Sequence, residues 1–134
     1  MGLTTSADAI RSFIHTRWGV VGDGSELVPE NVNFKPSTGQ KFVAYQIRPI
    51  ETLWVSPGWS DSIGSVLFSS YAPIGTGPET AEELLELAVS TVRFQKTGDV
   101  QFEDASVEAI GPDDDGRFIV NGRVPYHYQE RATS

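Results

Sequence analysis

The side chains able to do chemistry are few and scattered. His15 and His127 are the two histidines, and neither falls in an HExxH spacing or another ligand pattern that would let imidazoles hold zinc. With no cysteine, the chain offers no thiol nucleophile, no thiolate metal site and no disulfide framework. A Gly-x-Ser-x-Gly elbow is missing, so a serine triad would have to recruit His15 from a helix or His127 from a strand. Gly75-Thr76-Gly77 precedes a helical pattern whose first amides could face an anion. Glu79, Glu82 and Glu83 follow at once and repel phosphate, and neither Gly-Lys-Ser/Thr nor GxGxxG is present. Asp113-Asp114-Asp115-Gly116 invites calcium, but an EF-hand loop begun at Asp113 would need glycine where Phe118 stands and glutamate where Val124 stands. That run reads as a solvated turn. Carboxylates repeated along the second helix suit its dipole and solvent better than acid-base work. The expectation is a chain with no catalytic residue, no metal and no cofactor, hence not an enzyme.

Composition narrows the class further. The sequence has 134 residues, 39% hydrophobic, 10% aromatic and 21% charged, the balance of one globular domain expected to run over residues 1–134. Ten Lys and Arg against 18 Asp and Glu give a formal charge of −8, which disfavours a grip on nucleic-acid phosphates. The first residues lack the basic and apolar regions of a signal peptide, and no stretch approaches the roughly 20 apolar residues of a membrane span. A protein neither exported by that route nor held in a membrane is expected. Met1-Gly2 with Ser6 touches the myristoylation pattern without a polybasic second signal.

Positioning falls to two helices and a set of strands. Thr5 and Asp8 resemble a capping box, and Ala7, Ile10, Phe13, Ile14 and Trp18 recur at helical spacing, predicting a helix over 6–17 stopped by Gly19 and the Gly22-Asp23-Gly24-Ser25 cluster. Val28, Val32 and Phe34 suggest a short strand. After a turn at residues 37–40 it would form a hairpin with 42–50, a strand ended or confined to an edge by Pro49. Residues 53–62 read as a loop with Trp54 and Trp59 around Pro57-Gly58, and residues 63–72 as a central strand. Pro78 opens the strongest helix, buried along Ala81, Leu84, Leu85, Ala88, Val89 and Val92 and ending near Phe94. Val100 and Phe102 mark a short strand, and 106–110 pairs through the acidic turn with 117–128. In that last strand Phe118, Val120, Val124, Tyr126 and Tyr128 share one face, and Ile119, Asn121, Arg123, Pro125 and His127 the other. The order predicts an α+β fold, a mostly antiparallel sheet with two amphipathic helices packed on one face.

Trp54, Trp59, Tyr71 and Tyr128 exceed the aromatic needs of a small core, and such residues anchor protein interfaces. The candidate surface comprises Trp54, Trp59, Tyr71, Arg123 and His127, with Asp113, Asp114 and Asp115 as an acidic docking turn.

Taken in order, several segments resemble the tail terminator proteins of long-tailed, lambda-like bacteriophages. They are a first helix ending in Trp18, the stretch Val28-Pro-Glu-Asn-Val-Asn-Phe34-Lys-Pro36, and Gly64-Ser-Val-Leu-Phe-Ser-Ser-Tyr71-Ala-Pro73 leading into Gly75-Thr-Gly77. Phe94, Val100-Gln-Phe102, Gly116-Arg-Phe118 and Val124-Pro-Tyr126 continue the likeness, and Ser69, Ser70 and Gly122 depart from it. The resemblance implies a virion structural protein, made in the host cytoplasm, that forms a hexameric ring on the head-proximal end of the tail. The ring would stop polymerisation of the major tail tube protein and offer the head-completion or stopper protein a joining surface, with DNA passing through its lumen and no sequence-specific nucleic-acid binding. Two alternatives stand beside it: another ring of the neck, such as a stopper or connector component, and a small-molecule binding module or enzyme whose site motifs do not reveal.

Overall fold

The computed structural model describes residues 3–29, 34–37, 39–56, 59–76 and 78–131, with backbone alone for 3–6, 50–60, 76 and 130–131. Helix α1 (Leu3–Val21) leads into strands β1 (Glu26–Pro29), β2 (Phe42–Ser56) and β3 (Trp59–Pro73), then a 3-10 turn at Ile74–Thr76 and helix α2 (Pro78–Ser90). Strands β4 (Lys96–Thr97), β5 (Val100–Phe102), β6 (Ser106–Pro112) and β7 (Arg117–Arg131) complete it. The seven strands form one mixed, mostly antiparallel sheet in the order β1-β2-β3-β7-β5-β4, with β6 also on β7, so the expected α+β class is observed. β7 is the hub: one edge pairs with β3 from Arg117 to Arg131, while the other takes β6 over 118–123 and β5 over 126–128.

Both helices press on the same face. Ile10, Ile14 and Trp18 of α1 and Ala81, Leu84, Leu85, Ala88 and Val89 of α2 join Val43, Tyr45, Val66, Phe68, Ala72, Val120, Val124, Tyr126 and Tyr128 in one buried cluster. Period-2 alternation along the strands puts these on the helix side, as the spacing predicts. Gly122 and Ser70, two of the departures from the terminator pattern, have steric and polar reasons here. A Cβ at Gly122 would stand 3.0 Å from Val89 and 3.3 Å from Leu85, so its hydrogen lets α2 seat directly on β7. Ser70 is fully buried and its hydroxyl donates to Ala81 O at 2.7 Å, tying β3 to α2 where a larger apolar side chain would hold them apart.

Four expectations need correction. α1 runs to Val21, not to residue 17, because a lone Gly19 lowers helix propensity without ending the helix; the Trp18 indole then donates to Ser25 O at 3.0 Å as the chain turns out. β1 pairs with β2 in parallel, Glu26 opposite Phe42 through Pro29 opposite Tyr45, and is no arm of a hairpin. The turn at residues 37–40 exists, with Gln40 N–H donating to Ser37 O at 3.0 Å, but it serves a crossover. β2 does not stop at Pro49 and residues 53–62 are not a loop: β2 and β3 pair from Phe42–Tyr71 out to Ser56–Trp59, with register shifts at Pro49/Glu51 and Trp54/Ser56. Pro49 lies beyond Tyr45, where the β1 ladder ends, and next to a register shift, a position at which a strand tolerates a residue without an N–H. α2 ends at Ser90, and the turn after it closes in Phe94, whose φ of 59° makes it the described non-glycine residue with positive φ. The Thr5 side chain of the capping box, Val32 and the Pro57-Gly58 pair lie outside the described residues.

Candidate assembly surface

The helix-free face of the sheet is built by the alternate set of strand residues. Register places Phe42, Tyr71 and Ile119 in one row across β2, β3 and β7. Ala44, Ser69, Asn121 and Glu108 form the next row and Gln46, Leu67, Arg123 and Ser106 the one after, with β6 supplying the last member of each. No described helix or strand lies over these rows, and the second and third of them, with Arg48, line a groove of about 670 Å³.

At one end of this face sits an aromatic cluster. The Phe42 ring stacks on Tyr71 at 4.5 Å between centroids, Phe34 tilts against Phe42 at 5.2 Å, and the Arg117 guanidinium lies 5.5 Å from the Phe42 centroid. Arg117 is 8% exposed and donates from Nε to Gln40 O at 3.1 Å and from a terminal nitrogen to Ser37 O at 2.9 Å. It thereby pins the crossover turn to the start of β7. Sequence reading missed this residue, since nothing in a lone arginine after an acidic turn reveals that backbone carbonyls across the sheet will satisfy it. Tyr71, expected as an exposed anchor, is half-buried within the cluster, and Tyr128, expected likewise, is a core residue 3% exposed.

The other candidates divide by position. Arg123 is exposed at mid-strand, lining the large groove and a neighbouring one of about 370 Å³ that also takes His127 and Asp61. Asp113 to Asp115 form the β6–β7 turn: Asp113 Oδ1 accepts from the amides of Asp115 at 3.0 Å and Arg117 at 2.8 Å, and Gly116 takes a φ of 78°. Asp113 therefore holds the turn, while Asp114 and Asp115 face solvent. The backbones of Trp54 and Trp59 lie in β2 and β3 at the far end of the hairpin, opposite Ser60 and Ser56. Their side chains are outside the described residues. At ~3.3 Å per residue, β7 spans roughly 45 Å, so the acidic turn and the tryptophan-bearing hairpin end sit at opposite poles of the sheet with Arg123 between them.

β6 is an edge strand exposed along almost its whole length, with Val107 52% and Ile110 51% exposed. Such an edge, carrying apolar side chains and an open row of backbone groups, is what proteins cover or blunt to avoid unwanted pairing. Among the described residues no cluster of three His, Asp or Glu is placed to hold a metal ion, and no helix is long and apolar enough to cross a membrane. The groove lining combines two guanidinium groups, the Glu108 carboxylate and a Ser69 hydroxyl that donates to Asn121 at 2.7 Å, a set that orients charge and hydrogen bonds and holds no hydroxyl beside a base.

Titration in this structure bears on the fold. His15 Nε2 lies 2.7 Å from the Tyr45 hydroxyl, and burial, aided by the nearby Arg11 charge, lowers the imidazole below its ordinary 6.5. Burial pushes the Tyr45 phenol up to about 12. Burial alone would raise Asp23, but hydrogen bonds from Lys41 and Ser25 outweigh it and bring the carboxyl down to about 2. Both depressed groups bind protons more readily unfolded, so their stabilisation is present above the unfolded value and lost as pH falls through the folded one. Stability should decline first below pH 6.5 through His15 and again between 3.8 and about 2 through Asp23. Urea midpoints across pH would check this, with His15→Gln removing the first decline and leaving the second.

No protein-family model matches the chain. A stretch of 89 residues, 66% of this chain, is 33% identical to the dolichyl pyrophosphate Glc1Man9GlcNAc2 alpha-1,3-glucosyltransferase of Coccidioides immitis (strain RS), and it spans 17% of that protein's length. One solved structure superposes over 98% of this chain and 100% of its own with a TM-score of 0.67 at 17% identity, which establishes a shared fold. A chain from the virion of a native gene transfer agent (GTA) particle covers 94% of this chain and 97% of its own at 10% identity, with a TM-score of 0.49, a likeness too low to carry an argument.

Proposed function

We propose that this chain is a virion structural subunit, a tail terminator that works by occupying a place in an assembly. It closes the head-proximal end of a tail tube as a ring of six, stops tube growth and offers the head-completion proteins a docking surface. The observation that carries the reading is a fold that invests in surfaces for neighbours: one sheet face over which no described helix or strand lies, β6 exposed with Val107 and Ile110 outward, and a hairpin carried far past β1. The order of sequence segments that resembles tail terminators supplies the particular assembly. No step of this work needs a reactive group. In a head-to-tail ring each subunit presents two different patches, and closure comes from their relative rotation.

Arg123→Glu or Trp59→Ala should impair ring or tail assembly with the fold intact. Circular dichroism and urea midpoints close to wild type, together with tails of abnormal length in virions carrying either variant, are the expected result. Normal tails from both would refute the assignment. A ring found further up the neck by symmetry averaging of virions would favour the stopper or connector reading instead.

A further inference from the structure

Opposite faces of the sheet carry opposite charge that is largely unpaired among the described residues. On the helix side, Glu79, Glu82, Glu83 and Glu86 follow one another along the outward stripe of α2, and only Glu86 meets a described cation, Arg93 at 3.7 Å. On the helix-free side, Arg48 and Arg123 flank the 670 Å³ groove, and neither forms an ion pair with a described carboxylate; Glu108 is the acidic residue of the lining. Spacing matches as well as sign. Glu79 to Glu86 covers seven residues, roughly 10 Å along a helix. Arg48 and Arg123 lie two strands apart and one two-residue step out of row, roughly 12 Å between Cα atoms. Apolar surface accompanies both: Val107 and Ala109 beside the glutamates, Ala44 and Leu67 on the groove floor.

We infer that the helix-free groove receives the α2 face of a second copy of this chain, Arg48 and Arg123 pairing with the neighbour's glutamate stripe. The contact is heterologous, since the donor and acceptor patches are different surfaces on opposite sides of each subunit, which is what a head-to-tail ring requires. It presupposes the ring proposed above and supplies its residues. A fold already −8 in charge gains by it, because charge that repels between free chains becomes attractive once aligned against the groove.

Two variants test it together, R48E/R123E and E79K/E82K/E83K, with self-association followed by sedimentation velocity at low and high salt. Wild type should associate in a salt-sensitive way, and each variant alone should associate at least tenfold more weakly. An equimolar mixture should recover association, because each variant's groove then complements the other's helix; recovery also shows that both variants fold. Wild type remaining monomeric at millimolar concentration, variants associating like wild type, or a mixture that fails to recover would each overturn the inference. Intact self-association with lost attachment to tails would assign the groove to the tube protein and overturn it likewise. Rings that persist in the variants while chain-free tails grow overlong defeat this contact and leave the terminator reading standing; salt-sensitive pairing in a chain whose absence leaves tails normal does the reverse.

Discussion

Phe68→Ala should cost the fold about 3–5 kcal/mol, the range for emptying a fully buried phenylalanine site. Phe68 is 0% exposed in the middle of β3, between β2 and β7, and its ring tilts against Tyr45 at 6.2 Å. Collapse around the void is hindered because the two longest ladders of the sheet fix β3 on both sides. A drop of that size is a large share of the 5–15 kcal/mol typical of a domain, so the urea midpoint should fall steeply at unchanged slope. A loss below about 1 kcal/mol would mean that the helices are not packed where the structure puts them.

Gly64→Val is expected to destabilise by about 1–3 kcal/mol, or more, by overpacking instead of emptying. A Cβ at Gly64 would stand 2.4 Å from the Tyr126 ring and 2.7 Å from Arg48 O, so the phenol of the paired residue on β7 lies across the glycine. Tyr126 has little room to withdraw: it is 4% exposed, sits edge-on to Phe102 at 6.0 Å, and burial raises its phenol to about 12. Because the clash belongs to the pair, Gly64→Val combined with Tyr126→Ala should lose less than the sum of the two single changes. Strict additivity in thermal or urea unfolding would show that the ring does not cover Gly64.

The parts of this fold that were legible in sequence are those in which one local signal decides. Pro78, the glutamates after it and the stripe from Ala81 to Val92 specify α2, and a run of three aspartates before Gly116 specifies the β6–β7 turn. Alternation gave the buried face of β7 correctly, so Arg123 and His127 do lie on the helix-free side. What alternation does not encode is the partner and its direction. β1 and β2 alternate equally well in either sense, and the parallel pairing is decided by the crossover that Arg117 pins at Ser37 and Gln40. Proline misled for a related reason: Pro49 read as a break, yet β2 resumes beyond it after a bulge. The charge match between the α2 stripe and the groove arginines escaped notice because the groove is made by three strands far apart in sequence.

Tail length is the most direct measure of the central claim, that the chain acts by occupying a site in an assembly. Electron micrographs of particles produced with and without it should show tubes of fixed length in its presence and overlong tubes, unjoined to heads, in its absence. Tails of proper length already attached to filled heads when the chain is missing would contradict the account.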